Sequence, residues 1–393
     1  MSQGRKAKKV DTCRDVTHES VVLLVSSRKK EQIVQLTAQL KLLPKSEQHK
    51  LLEQTLLRCN EACNWISSIA WERQTFKQFS LHNLVYREAR ERFGLGAQAV
   101  IRCIAKVADA YKLDRKVKRA FHFDGAIAFD SRLLKFGDTY VSIWTLEGRK
   151  KVSFVCGEHQ RKMLATQKGE SKLFLQNGTF YLHAACEIAE GTPLVPQDIL
   201  GVDLGIVNLA TDSDGVPYGE DVRKRRSRFH KTRRSLQRTH TKSSKRKLIR
   251  RAKKERRFSQ DVNHCIAKQL VEKAKRTEQA ISLETLKGIR LGNRVSRQLR
   301  RELHSWAFND LQQKIEYKAK LAGVPVLYVE AAYTSQMCSV CGHCERSNRK
   351  SQSEFSCKSC DTQLHADHNA AMNIAAKAKV NWPNVVHPEA PTC

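Results

Sequence analysis

The sequence predicts a mixed α/β chain, and three observations predict it. Apolar strand-like runs at residues 199–203, 279–284 and 324–329 are separated by longer helical patterns, the alternation expected of an α/β sheet. Ahead of them, residues 141–188 are rich in β-branched and aromatic residues, and Asn177-Gly178 lies between two such runs, a type I′ hairpin signal. Near the C-terminus stand two C-x-x-C pairs.

At 393 residues the chain has length for two or three domains and at least one sizeable core. The net charge is +31, from 71 Lys+Arg against 40 Asp+Glu, which favours a polyanionic partner. No apolar run approaches the ~20 residues of a membrane span. Residues 21–25 are too short for one and lack a signal-peptide cleavage pattern. The expected partner is therefore nucleic acid rather than a membrane, and the expected setting is the cytoplasm. Thirteen cysteines fit that setting if some bind metal, since disulfide frameworks belong to far shorter chains.

The elements follow in order. Residues 1–30 read as a basic, flexible N-terminus. Leu40, Leu42 and Leu43 suggest a strand end that Pro44 breaks, and Ser46 is placed to cap the next helix. Leu51, Leu52, Leu56, Cys59 and Cys63 have helical spacing, and the two cysteines read as core thiols. Helical patterns continue over 81–93 and 97–118, giving a helical region of roughly 46–120. The strand-rich part then predicts a small antiparallel β-barrel, completed by the early strand near 36–43 with the helices inserted between. Pro193 and Pro196 mark 192–198 as a linker.

The run ILGVDLGIVNLATDSDG at 199–215 reads as a buried strand carrying Asp203, followed by a hairpin partner. Between Arg223 and Arg257 there are 19 Lys/Arg and one acid, Glu255. So little acid to offset self-repulsion argues against an ordinary solvated helix face. Leu236, Leu248, Ile249 and Phe258 are sparse anchors for one or two helices with one face on a phosphate backbone. The candidate contacts are Arg223, Lys224, Arg225, Arg226, Arg233, Arg234, Lys245, Arg246 and Arg250. Residues 261–275 are amphipathic, a strand at 279–284 ends in Glu284, and a helix is expected over about 296–321 before the last strand. Trp65, Trp71 and Tyr86 are of a type that stacks on bases, although core packing is the commoner fate of each.

Cys338, Cys341, Cys357 and Cys360 form two knuckles separated by 15 residues, the pattern of a zinc ribbon. Four thiolates fill a tetrahedral site, so one structural Zn2+ is expected. Cys344 leaves the register open; His343, His365 and His368 read as ordinary histidines. A buried acid in a strand needs a partner, and a metal is a common one. Asp203 and Glu284 both sit in apolar strands. Asp367 lies in LHADHNAAMNIAAKA, where Ala370, Ala371 and Ile374 would share its face and let a helix pack close to the sheet. Three gathered carboxylates would suit Mg2+ or Mn2+. Taken alone, each acid is also compatible with a cap or a surface ion pair, and spacing by itself favours that for Glu284.

These residues resemble the TnpB family of transposon-associated RNA-guided nucleases, relatives of type V CRISPR effectors. The resemblance rests on GVDLGIVNLATDSDG, ISLETLKGI, YTSQMCSVCGHCERSNRKSQSEFSCKSC and HADHNAAMNIA, is specific over about 200–377, and extends weakly to LKLLPKSEQHKLLEQTL. It implies an RNase H-like (RuvC) nuclease domain over 199–330 and 363–378, with a zinc ribbon inserted at 331–362 and a C-terminal tail at 379–393. It implies a wedge-like β-barrel from 31–45 and 121–198, carrying a helical recognition region over 46–120, the two gripping guide RNA and the duplex beside the target. Catalytic and metal-holding roles fall on Asp203, Glu284 and Asp367, and the partners implied are a guide RNA and double-stranded target DNA, with one protein per guide RNA. Two other readings stay open: an RNase H-like transposase or resolvase without RNA, and a nuclease-silent RNA-guided repressor.

Overall fold

The computed structural model describes residues 33–219, 221–285 and 308–382. The expected basic N-terminus, the first part of the helix expected over 296–321, and all but the start of the C-terminal tail lie outside the described residues.

Two sheets organise the chain. The first contains β1 (Ile33–Leu43), β2 (Ile127–Phe129), β3 (Leu134–Phe136), β4 (Tyr140–Thr145), β5 (Gly148–Val155), β6 (Gln167–Gln176) and β7 (Thr179–Ala189). Their order is β2-β6-β7-β1-β5-β4-β3, antiparallel throughout. The edge strands β2 and β3 are joined by a short turn, in which Asp130 accepts from the Arg132 and Leu133 amides, so the sheet is nearly closed. The expected hairpin at Asn177-Gly178 links β6 to β7. As the sequence suggests, β1 completes this sheet across inserted helices.

Those helices are α1 (Ser46–Glu72), α2 (Gln78–Phe93) and α3 (Ala97–Leu113). Alternation along β1 turns Leu40 and Leu42 inward, where they share a core with Leu52, Ile66, Val107, Phe129 and Leu182. Cys59 and Cys63 are buried in it, and Trp65, Trp71 and Tyr86 pack against it. A short α4 (Glu158–Leu164) sets Met163 on Ala38, Ala184 and Cys186. Two expectations are corrected here. The α1 cap is Lys45 rather than Ser46, because the Gln48 side chain reaches back to accept from the Lys45 amide at 3.0 Å. Helix α3 stops at Leu113 rather than 118, because Asp114 is extended and the following strand of loop is bonded to Asn60 and Asn64 of α1.

The second sheet contains β8 (Asp198–Asp203), β9 (Ala210–Asp212), β10 (Pro217–Tyr218), β11 (Gln279–Glu284) and β12 (Val326–Val329), in the order β10-β9-β8-β11-β12. Strands β8, β11 and β12 are parallel; β9 and β10 add an antiparallel hairpin. On one side lie α5 (Val222–Arg238), α6 (Lys242–Arg276) and α7 (Phe308–Ala322), of which α6 and α7 pack Ile266, Leu270, Leu311 and Ile315 on Leu200, Val202 and Leu283. On the other lies α8 (Ala366–Asn381), whose Ile374 and Ala378 meet Ile199, Ala280 and Val329. The amphipathic stretch expected over 261–275 is the second half of the continuous α6. A two-stranded ribbon, β13 (Glu354–Ser356) and β14 (Gln363–His365), leads directly into α8. Among the described residues no helix is long and apolar enough to cross a membrane.

Strand alternation decides which side the acids take. Leu200 and Val202 face α6 and α7, so Ile199, Gly201 and Asp203 face α8. Likewise Ile281 and Leu283 face one layer, while Ala280, Ser282 and Glu284 face the other. Gly201 lets α8 lie directly on β8: a Cβ there would stand 2.1 Å from the Ala371 carbonyl oxygen and 2.6 Å from the Ala375 amide nitrogen. Gly201→Ala is therefore expected to destabilise by about 3 kcal/mol or more, the cost of overpacking against immovable backbone. Gly94→Ala, at φ +62° with nothing within 4 Å of the new Cβ, should cost only about 1 kcal/mol. Equal denaturation midpoints for the two variants would refute this account.

Candidate active site and metal centre

Three elements bring three acids together. Asp203 ends β8, Glu284 ends the neighbouring parallel β11, and the register Val202↔Leu283 sets them side by side. Asp367 stands in the first turn of α8 and is 3% exposed. Desolvation, then the charges of Glu284 and Asp367, push the Asp203 carboxyl up to about 8. Desolvation also raises Glu284. Each shift says that an ionised carboxylate is disfavoured here in the absence of a cation.

The surroundings only partly offset this. Thr334 donates its hydroxyl to Glu284 Oε1, and Gln312 Nε2 donates to the Glu284 carbonyl at 2.9 Å. Asn208 Nδ2 donates to Asp367 Oδ2 at 3.3 Å. Arg349 Nη2 stands 3.7 Å from Asp367 Oδ1, and its charge lowers both Asp203 and Glu284. Lys377 also lowers Glu284. Three clustered carboxylates are an all-oxygen donor set, which fits a hard divalent cation.

The cysteine cluster passes a sharper test of fit. The sulfurs of Cys338, Cys341, Cys357 and Cys360 all lie within 4.8 Å of one another. Cys338 Sγ to Cys360 Sγ is 3.7 Å, and Cys341 Sγ to Cys357 Sγ is 3.5 Å. A tetrahedron with zinc–sulfur bonds near 2.3 Å has edges of about 3.8 Å. A disulfide needs about 2.05 Å, so these are facing thiols rather than bonded sulfurs. Cys344 is outside the cluster, in an isolated bridge with Met337. The histidines are placed elsewhere: His343 is 3.3 Å from Glu345, His365 Nδ1 accepts from the Asp367 amide, and His368 meets the Ser213 carbonyl.

Buried carboxamides join the cysteine centre to the acid site. Asn369 donates to the Met337 carbonyl at 2.8 Å and accepts from the Ser339 amide at 3.0 Å, on either side of Cys338. Asn373 donates to the Thr334 and Met337 carbonyls at 2.8 and 2.7 Å. Asn348 bonds the Gln336 and His343 carbonyls and the Lys358 amide, tying the two knuckles together. Its neighbour Arg349 is thereby aimed at Asp367. The sequence reading missed Arg349, Thr334, Asn369 and Asn373. The run HADHNAAMNIA held the available signal: two asparagines one helical turn apart, unusual in a buried helix face.

Asp212 is a separate case. It is fully buried on β9, facing α6, and accepts from Lys273 Nζ at 2.6 Å and Tyr218 Oη at 2.8 Å. Lys273 also holds Asp214 at 2.7 Å. This paired network secures the hairpin against α6 and does not join the acid site.

The basic run forms an antiparallel helical hairpin of α5 and α6. Phe229 and Phe258 meet edge to face at 5.5 Å, Arg251 lies over Phe229 and Arg225 over Phe258, and Arg233 pairs with Glu255 at 3.1 Å. Of the nine candidates, Arg226 is half-buried; Arg223, Lys224, Arg225, Arg233, Arg234, Lys245, Arg246 and Arg250 are exposed. Lys224 lies 3.6 Å from Asp221. Arg225 and Arg233 thus help to hold the hairpin as well as presenting charge.

Comparison with known proteins agrees with this layout. Residues 183–288 match the family model described as "Probable transposase", and residues 308–374 match "Cas12f1-like, TNB domain". A CRISPR-associated endodeoxyribonuclease Cas12f1 of Sulfoacidibacillus thermotolerans is 41% identical over 120 residues, covering 30% of this chain and 27% of that protein. InsQ of Escherichia coli K12, whose name designates an RNA-guided DNA endonuclease, is 30% identical over 221 residues, covering 51% of this chain and 54% of InsQ. The chain therefore spans about half or less of the length of these relatives. A Cas12f1–sgRNA–target DNA complex superposes with a TM-score of 0.59 at 16% identity, over 84% of this chain and 83% of that one, which shows a shared fold. Residues 183–288 and 308–374 are thus similar to the proteins those two family models describe.

Proposed function

We propose that this protein is an RNA-guided, metal-dependent DNA endonuclease encoded by or derived from a transposable element. The observation that carries the reading is the meeting of Asp203, Glu284 and Asp367 between the second sheet and α8, where burial and the charges of Glu284 and Asp367 raise the cost of ionising Asp203. In this reading 199–330 and 363–378 form the RNase H-like (RuvC) domain and 331–362 the zinc ribbon. The nearly closed first sheet is the wedge-like barrel, and 46–120 is the recognition region. Relatives designated as RNA-guided or CRISPR-associated DNA nucleases support it.

Asp203, Glu284 and Asp367 would hold Mg2+ or Mn2+. Such a cation supplies Lewis acidity at the phosphodiester and makes water a better nucleophile. The chain's own residues do the rest. Thr334 fixes one Glu284 oxygen and Asn208 one Asp367 oxygen, so the free lone pairs point in set directions. Arg349 places a positive charge beside the acids, where a phosphate would approach. The α5–α6 hairpin would grip nucleic-acid backbone without reading sequence. Guide pairing would supply sequence choice, and the protein would read a short flanking motif. One Zn2+ on Cys338, Cys341, Cys357 and Cys360 would be structural, holding the ribbon that delivers Arg349 and Thr334.

The test of the whole reading is to purify the protein, sequence the RNA that comes with it, and offer a matching DNA target. A discrete RNA and RNase-sensitive cleavage are expected; cleavage indifferent to RNase would instead indicate a transposase-like enzyme. Asp203→Asn and Glu284→Gln should each lower cleavage by about 10³-fold or more while RNA binding stays at the wild-type level. Wild-type cleavage by Asp203→Asn would refute the site.

Two further outcomes concern stability. With Asp203 raised to about 8, the folded protein keeps a proton that the unfolded chain releases near pH 4. Stability of the cation-free protein should therefore fall as pH rises from about 4 to about 8. Mg2+ should raise the melting temperature more at pH 8 than at pH 6, and Asp203→Asn should flatten the slope. A cation-independent flat profile in the wild type would contradict the linkage. For the ribbon, Cys338→Ser should lose both zinc and melting temperature, whereas Cys344→Ser should keep one zinc per chain, as read by elemental analysis. Loss of zinc in Cys344→Ser would reassign the ligands.

A further inference from the structure

The hairpin that follows Asp203 touches α8 at two places. At its root, Asn208 Nδ2 donates to Asp367 Oδ2 at 3.3 Å. At its tip, the Ser213 carbonyl lies 3.1 Å from His368 Nε2. A carbonyl only accepts, so Nε2 carries the imidazole proton. Gly215, at φ +80°, leaves room for the ring: a Cβ there would stand 3.2 Å from His368 Nδ1. His368 follows Asp367 directly in the first turn of α8, so both contacts bear on the turn that carries the acid.

The tip is itself held from two other sides. Ser213 donates its amide to the Gly201 carbonyl at 2.8 Å, and its hydroxyl accepts from the Gly201 amide at 3.2 Å. Gly201 is the residue on which α8 lies. Asp212 and Asp214, on either side of Ser213, share Lys273 Nζ at 2.6 and 2.7 Å. Asp212 Oδ1 also accepts from the Asp214 and Val216 amides, at 3.1 and 3.0 Å, which shapes the turn. Lys273 stands in the last turn of α6, on the opposite side of the sheet from α8. The tip therefore links Lys273 in one helical layer to His368 in the other.

The acid site needs such a hold at Asp367 more than at its other members. The charges of Glu284 and Asp367 both oppose ionisation of Asp203. Asp203 and Glu284 end paired strands, whose ladder resists that repulsion. Asp367 stands in the first turn of a helix, where the backbone amides lack intrahelical partners.

We infer that Lys273, Asp212, Ser213 and His368 form a clamp that positions Asp367 for cation binding. They act through the backbone of the hairpin and of α8, as positioning residues. The inference rests on the metal-dependent reading of the acid site and adds these residues to it.

The test compares two variants of the full chain. His368→Gln keeps a side-chain amide that can donate to the Ser213 carbonyl; His368→Ala does not. In the protein without added cation, the Ala370 and Ala371 amides should exchange hydrogen about 10-fold faster in His368→Ala and at the wild-type rate in His368→Gln. With RNA and a matching target, the Mg2+ concentration for half-maximal cleavage should rise about 10-fold in His368→Ala and return in His368→Gln. The cleavage rate at saturating Mg2+ and the RNA affinity should change little. Lys273→Met/Asp212→Asn, which removes both charges together, should act in the same direction from the other side of the sheet. A lower melting temperature with wild-type α8 exchange and a wild-type Mg2+ midpoint would make these contacts ordinary packing and overturn the clamp. A wild-type protein that cuts at no Mg2+ concentration would overturn the metal-dependent reading. The exchange comparison would then decide the clamp alone, equal rates overturning it.

Discussion

The backbone of the last helix rests directly on Gly201, and the acid site depends on that contact. Asp203 and Glu284 are neighbours through parallel strand pairing, which any α/β sheet can provide. Asp367 comes from a segment 164 residues further along the chain than Asp203. It reaches them because a residue without Cβ faces Ala371 and Ala375. The alanines of α8 are the matching half of the same device: small side chains on the helix, none on the strand.

Gathering three carboxylates opposes folding, since burial and the charges of Glu284 and Asp367 disfavour ionisation of Asp203. The fold contains that strain with a second, independent fastening. The cysteine centre anchors a loop whose carbonyls are held by Asn369 and Asn373, which follow Asp367 on the same helix. The loop carries Thr334 to Glu284, and the ribbon carries Arg349 to Asp367. The cysteine cluster and the acid geometry are therefore mechanically linked. A centre with a full set of cysteine ligands has no open position for chemistry, yet it sets the positions of groups that do.

The excess of positive charge is divided among different surfaces. The α5–α6 hairpin holds itself together with an aromatic pair and cation–π contacts, which frees most of its charge for solvent. The outer face of the first sheet carries a smaller share of it, in the exposed Lys41, Lys151 and Lys172. Trp65, Trp71 and Tyr86, although of the stacking type, are packed against the helical core instead.

Much of this was legible in the sequence, for identifiable reasons. Two C-x-x-C pairs specify a tetrahedral thiolate site whatever surrounds them, and Asn177-Gly178 dictates its hairpin locally. Apolar runs ending in Asp203 and Glu284 mark buried strands, although only the pairing register sets the two acids on one face. Local pattern could not exclude Cys344 or terminate α3 at Leu113, since a bridge to Met337 and the bonds from Asn60 and Asn64 decide those points. Nor could it find Arg349 or Thr334. Their meaning lies in partners distant along the chain, brought close only when strands pair and a helix settles on Gly201. By itself the sequence determined which elements form and which residue types they carry, because those follow from short-range periodicity and turn chemistry. The tertiary structure alone decided which of those residues meet, because close approach depends on the space that a missing Cβ leaves.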